Sequence, residues 1–227
     1  MRLIYCAVAL SLTAGLLTTA YGQSTADYTP VRSTGITYSS IISSGTSFTW
    51  RNGTDTDNNR SSLTDIGFDF WYLGTRYTQF NVSTNGFIDL NIYDPSNGAP
   101  VNSYDEDNSK FFYQQLTLAP LYDDLKIPGS GSLSGNIKYA VSGSFPNRVL
   151  TVEWLNMQTP SQTDPDLNFQ VKLFEGTGVI QFVYGTMTPG SAAYSYTLGI
   201  HDNSNSGTPT TAQALVQQSS NSSSGDR

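Results

Sequence analysis

Residues 135–186 hold four short apolar runs, NIKYAV, RVLTVEWL, NFQVKLFE and GVIQFVYG, each rich in Val, Ile, Phe, Tyr or Trp. Phe169, Val171 and Leu173 fall on one side of their run, with Gln170 and Lys172 on the other. Leu150, Val152 and Trp154 likewise oppose Thr151 and Glu153. A period of two over such lengths predicts half-buried antiparallel strands, each with one core face. The links between them are short. Gly176-Thr177-Gly178 predicts a hairpin turn in which the glycines take positive φ, and Phe145-Pro146-Asn147 does the same job between the first two runs. This stretch constrains a fold and specifies no reaction.

The same rhythm recurs along the chain. Ile36 to Ile42 (ITYSSII) reads as a first strand, with Phe48 and Trp50 in a second short piece. Residues 51–65 read as a polar loop with almost nothing to bury. Strands follow over 66–73 (IGFDFWYL) and 80–92, the latter broken by Asn85-Gly86, which favours a turn with both residues at positive φ. Residues 93–110 are polar and most acidic at Asp105 to Asn108, and Phe111 to Leu116 fits either a helical turn or a strand. Leu118 to Leu125 precedes a Gly/Ser loop, Tyr194 to His201 is a further strand, and Ala212 to Val216 a final edge. About ten strands without a long helical pattern predict an all-β fold: one antiparallel β-sandwich over residues 36–217, with little or no helix.

Composition limits the partners. Eighteen acidic against 11 basic residues give a net charge of −7, which opposes phosphate backbones and anionic lipid and excludes nucleic acid as a partner. Arg2, the apolar Leu3 to Leu17 and the small residues before Gln23 have the layout of a secretory signal peptide over residues 1–22. Loss of Arg2 leaves 10 basic against 18 acidic residues, a mature charge of −8, with no membrane insertion after cleavage. The single cysteine, Cys6, leaves with that peptide, so the exported domain is held by its core and not by disulfides. Residues 23–35 read as a flexible lead-in and 218–227 as a Ser/Asn-rich linker or tail.

Candidate chemistry is sparse. Asp123-Asp124 are adjacent, and neighbours on a strand point to opposite faces, so they do not form a paired acid and nucleophile. They offer oxygen ligands to calcium, against the simpler role of capping a turn. Asp55, Asp57 and Asn59 have the first spacings of a calcium loop, but Arg60 stands where glycine is needed and Ile66 where a glutamate is needed. His201 is the sole histidine, without partners for a zinc site or a nucleophile relay, and reads as structural. Glu153 and Glu175 are the strand-associated glutamates that a glycosidase would have to bring face to face. Seven tyrosines, Tyr72, Tyr77, Tyr104, Tyr113, Tyr122, Tyr194 and Tyr196, offer either a sandwich lining or a sugar-stacking surface. The sequons at Asn52, Asn59 and Asn81 matter where the host glycosylates. No catalytic, cofactor-binding or metal-binding residue and no cofactor is assigned.

The order of the pieces resembles the extracellular NIDO domain first described in nidogen. IGFDFWYLG is followed by Val82-Ser83-Thr84-Asn85-Gly86-Phe87, then by Ala119-Pro120-Leu121-Tyr122-Asp123-Asp124 and by Val152-Glu153-Trp154. Asn168 to Leu173, Phe182-Val183-Tyr184-Gly185 and Gly199-Ile200 complete the series, which spans about 66–200. Tyr122 stands where tryptophan is common. The chain is also similar to modules of secreted bacterial surface proteins. The resemblance implies a role in adhesion or matrix contact and carries no agreed ligand residues.

Together these features point to a secreted or cell-surface, non-enzymatic module whose partner is an extracellular protein or a glycan. The alternative is a carbohydrate-binding module working through surface tyrosines.

Overall fold

A computed structural model describes residues 24–90, 116–159, 166–188, 195–202 and 214–220. The expected signal peptide over residues 1–22, the acidic stretch 105–108, the ambiguous 111–115, and Tyr104, Tyr113 and Tyr194 lie outside them. The described strands are β1 (Thr46–Ser47), β2 (Thr64–Tyr72), β3 (Thr75–Ser83), β4 (Phe87–Asp89), β5 (Thr117–Tyr122), β6 (Ile137–Ser142), β7 (Val149–Met157), β8 (Leu167–Phe174), β9 (Ile180–Met187), β10 (Ser195–His201) and β11 (Ala214–Ser220). One short helix, α1 (Leu133–Asn136), leads into β6. The strands form a five-stranded sheet, β1-β6-β7-β8-β9, and a six-stranded sheet, β11-β10-β5-β4-β3-β2. This is the all-β sandwich that the alternation predicts.

The core follows from the alternation. Cross-strand pairs Leu150–Leu173, Val152–Val171 and Trp154–Phe169 line the inner face of β7 and β8, and all six side chains are buried. Opposite them stand Ile66, Phe68, Phe70 and Tyr72 of β2, Phe80 and Val82 of β3, Ile88 of β4 and Leu118 of β5. Burying each such side chain contributes about 1.5–3 kcal/mol, which is how a chain without disulfides holds together. At one side Arg148 joins the sheets. It pairs with Glu175 through Nε (2.8 Å) and Nη2 (2.5 Å), and its Nη1 donates to the Gly67 carbonyl at 2.7 Å.

Several local expectations are corrected. Residues 36–42 form no strand. They cross the outer face of the five-stranded sheet as an extended strap and enter β1, which pairs with β6. Their partners are side chains of the sheet below, Glu153 for Tyr38, Ser40 and Ile41 and Gln170 for the Ser39 carbonyl, and not a neighbouring strand's backbone. The lead-in is anchored as well: Ser24 and Asp27 form a capping box over a 3₁₀ turn, Thr25–Asp27, and the Tyr28 ring packs 5.5 Å from that of Tyr72.

The 51–65 segment also differs from expectation, because Asn59 and Ser61 are fully buried and β2 begins at Thr64. Only one residue of each turn pair has positive φ: Gly86 (82°) in Asn85-Gly86, and Gly178 (66°) in the β8–β9 link. The last strand runs to Ser220, so the first residues of the expected tail pair with β10. Their backbone groups find ladder partners that composition does not reveal.

Candidate functional site

Several of the residues that carry the family resemblance, in the 82–87, 119–124, 152–154 and 168–173 segments, meet at one place in the sandwich. The turn Ser83–Gly86 joins β3 to β4, and Gly86 presses on the β5 backbone. A Cβ there would overlap the Leu121 carbonyl oxygen. The Trp154 indole Nε1 donates to the Ser83 carbonyl at 2.9 Å from the opposite sheet, and its ring stacks on Phe169 at 5.1 Å. Asn85 Oδ1 accepts from Leu125 N at 2.9 Å, while its Nδ2 donates to Asn58 at 3.1 Å. Phe87 and Tyr122 pack edge to face at 4.7 Å. The motif is therefore a hub that ties two sheets and a loop together.

That hub gathers the acidic candidates at one end of the sandwich. Asn59 is buried, its amide donating to the Asp55 carbonyl (2.9 Å) and its Oδ1 accepting from Asn52 N (3.0 Å). Asp55 accepts from Asn52 Nδ2 (2.8 Å) and from Asp57 N (3.0 Å). Ile127 N donates to the Thr56 carbonyl at 2.9 Å, bringing the 55–59 loop beside the segment that follows Asp123 and Asp124. Asp123 accepts from Asp124 N at 2.9 Å, a turn cap. Among the described residues, no group of three or more His, Cys, Asp or Glu side chains is placed to hold a metal ion.

The other candidates are dispersed. Glu153 is fully buried on the outer face of β7, where the strap covers it. It accepts from the Tyr38 hydroxyl, Ser40 Oγ (3.1 Å), Ile41 N (2.7 Å) and Gln170 Nε2 (3.3 Å). Glu175 follows β8 and pairs with Arg148, which holds its carboxyl below the usual carboxylate range. Glu153 faces Gln170 across the sheet, and Glu175 lies five residues further along, roughly 17 Å at strand rise. Glycosidase carboxyls stand about 5–9.5 Å apart, so the structure does not bring these two together. His201 ends β10 and is buried, its carbonyl accepting from the Tyr72 hydroxyl at 2.9 Å.

Of the tyrosines named above, Tyr72 and Tyr122 are fully buried, and Tyr77 and Tyr196 are partly buried against the core. Among the described residues, the exposed aromatics are Trp71 (57%), Phe145 (78%) and, less so, Tyr184 (37%). Trp71 was legible in principle. With Ile66, Phe68, Phe70 and Tyr72 on the core side of β2, position 71 shares a face with Asp65 and Asp69. The unbroken aromatic run FWY hides that parity.

An antiparallel sandwich built on a buried turn-and-tryptophan hub is the class of protein that these features define. The chain matches the NIDO-related family model over residues 27–226 and belongs to that family, one of extracellular-type modules. No curated protein and no solved structure matches the chain. No helix among the described residues is long and apolar enough to cross a membrane.

Proposed function

We propose that the chain is a secreted, non-enzymatic module that makes adhesive or matrix contacts at a cell surface. The observation that carries this reading is the use to which the signature residues are put. Ser83, Asn85, Gly86, Trp154 and Phe169 are buried and engaged with one another, as in a scaffold that presents a surface. The two strand-associated glutamates support it too, since one is roofed by the strap and the other is held by Arg148. Secretion rests on the layout of residues 1–22.

The test is direct. The purified chain, immobilised, should bind extracellular matrix proteins or whole cells at micromolar levels typical of small interfaces. It should turn over no polysaccharide or peptide substrate. Turnover that disappears in Glu153→Gln, with the variant still folded, would overturn the reading.

A further inference from the structure

The outer face of the β2–β3 hairpin carries an exposed indole set among hydrogen-bonding side chains. Trp71 is 57% exposed and pairs across the ladder with Arg76. Arg76 Nε lies 3.4 Å from Asp69 Oδ1, both side chains being more than half exposed. Further along the same face, Gln79 Nε2 donates to Asp65 Oδ1 at 2.9 Å. We infer that this face binds a neutral glycan, with a pyranose ring stacked on Trp71 and its hydroxyls meeting Asp69, Arg76 and the Asp65–Gln79 pair. The inference rests on the extracellular binding module proposed above and names its ligand class.

Three features select this occupant. A sugar ring has an apolar C–H face and an edge of hydroxyls, matching one flat apolar side chain bordered by carboxylate, guanidinium and amide groups. Exposed ion pairs contribute little to stability, so the Asp69–Arg76 pair opens at small cost to receive hydroxyls. Two carboxylates stand near one guanidinium, on a chain of net charge −7, which disfavours sulfated or uronic-acid glycans. A protein partner fits less well, because a stable interface takes about 800 Å² a side around a buried apolar centre, and here one indole is ringed by polar groups. β2 is an edge strand, so a chain of sugar units has open approach from the side.

The experiment is affinity electrophoresis of the full chain in gels containing laminarin, mannan, xyloglucan or heparin, alongside binding to enzymatically deglycosylated collagen and laminin. At least one neutral polysaccharide should retard the chain. Trp71→Ala should weaken that retardation by roughly tenfold or more, with an unchanged melting temperature because the side chain is exposed. Phe145→Ala should leave it intact. Trp71 is the most exposed tryptophan, so binding should also quench intrinsic fluorescence, and that response should vanish in Trp71→Ala. The inference is overturned by retardation in none of the neutral gels, by retardation indifferent to Trp71→Ala, or by binding to heparin alone. Should the deglycosylated matrix still bind in those cases, the glycan assignment falls while the module reading stands. Should nothing bind, both fall.

Discussion

The indole nitrogen of Trp154 donates to the Ser83 carbonyl at 2.9 Å, a hydrogen bond between the two sheets inside the core. Ser83 is the last residue of β3, and the turn after it receives both the 51–60 loop and the β5 backbone. One bond therefore fixes how the sheets stack and where the turn sits.

Trp154→Phe keeps most of the ring area and removes the donor. The Ser83 carbonyl then keeps only its longer contact from Gly86 N at 3.4 Å, and the lost hydrogen bond costs about 0.5–1.5 kcal/mol. Trp50 supplies the contrast, since its Nε1 has no hydrogen-bond partner among the described residues. Trp50→Phe should cost less than Trp154→Phe. Urea unfolding of both variants measures the difference, and equal losses would remove the bond's importance.

Gly86 combines a φ of 82° with contact on Leu121. Alanine there meets backbone strain of about 1–2 kcal/mol and a clash with main chain that no rotamer relieves. Gly53 also has positive φ (53°), but nothing lies within 4 Å of a Cβ built on it. Gly53→Ala should show the strain alone, and Gly86→Ala should lose at least about 2 kcal/mol more or fail to fold. Thermal melts of the two variants decide it.

Much of the fold is legible in the sequence because strands of a sandwich advertise one buried face. Phe169, Val171 and Leu173 could hardly sit otherwise. The turn at Asn85-Gly86 is legible too, but its tertiary role is not, since nothing local says that Leu121 lies against Gly86. The strap was hidden for a related reason. Alternation in ITYSSII signals side chains on two sides and cannot distinguish a ladder neighbour from a sheet face beneath. Buried Asn59 reads as loop polarity until Asn52 and Asp55 fold over it. Tyr122 is indistinguishable from a surface tyrosine without knowledge of what packs on it, whereas Trp71 and Tyr72 could have been placed by counting parity from Phe70.

Glu153 anchors the strap through donors only: Tyr38 Oη, Ser40 Oγ, Ile41 N and Gln170 Nε2. Two of them meet Oε1 and two meet Oε2. Glutamine in either orientation would turn its amide nitrogen toward one hydroxyl, which can accept, and one N–H, which cannot, so Glu153→Gln is not a conservative change. We expect a loss of roughly 1–3 kcal/mol, felt mainly by the strap. Limited proteolysis should cleave within residues 36–42 well before the sandwich yields. Cleavage at the wild-type rate would show that Glu153 does not hold the strap.

Tyr38 gives the strap a signature at alkaline pH. Burial raises its hydroxyl above the ordinary value of 10.0, and its hydrogen bond and proximity to the Glu153 carboxylate add to the shift. The folded chain therefore keeps this proton where the unfolded chain releases it. Its contribution is fully present below pH 10 and declines as pH climbs from there toward the folded value. Tyr72 and Tyr184 are shifted the same way, chiefly by burial, so part of the alkaline loss persists in any single variant. Tyr38→Phe should be less stable than wild type near pH 8, because the hydroxyl's bond to Glu153 is gone. Its stability should then fall less steeply above pH 10. Urea midpoints at pH 8, 9.5, 10.5 and 11 measure both effects, and parallel curves for the two proteins would mean that the Tyr38 proton is not held by the fold.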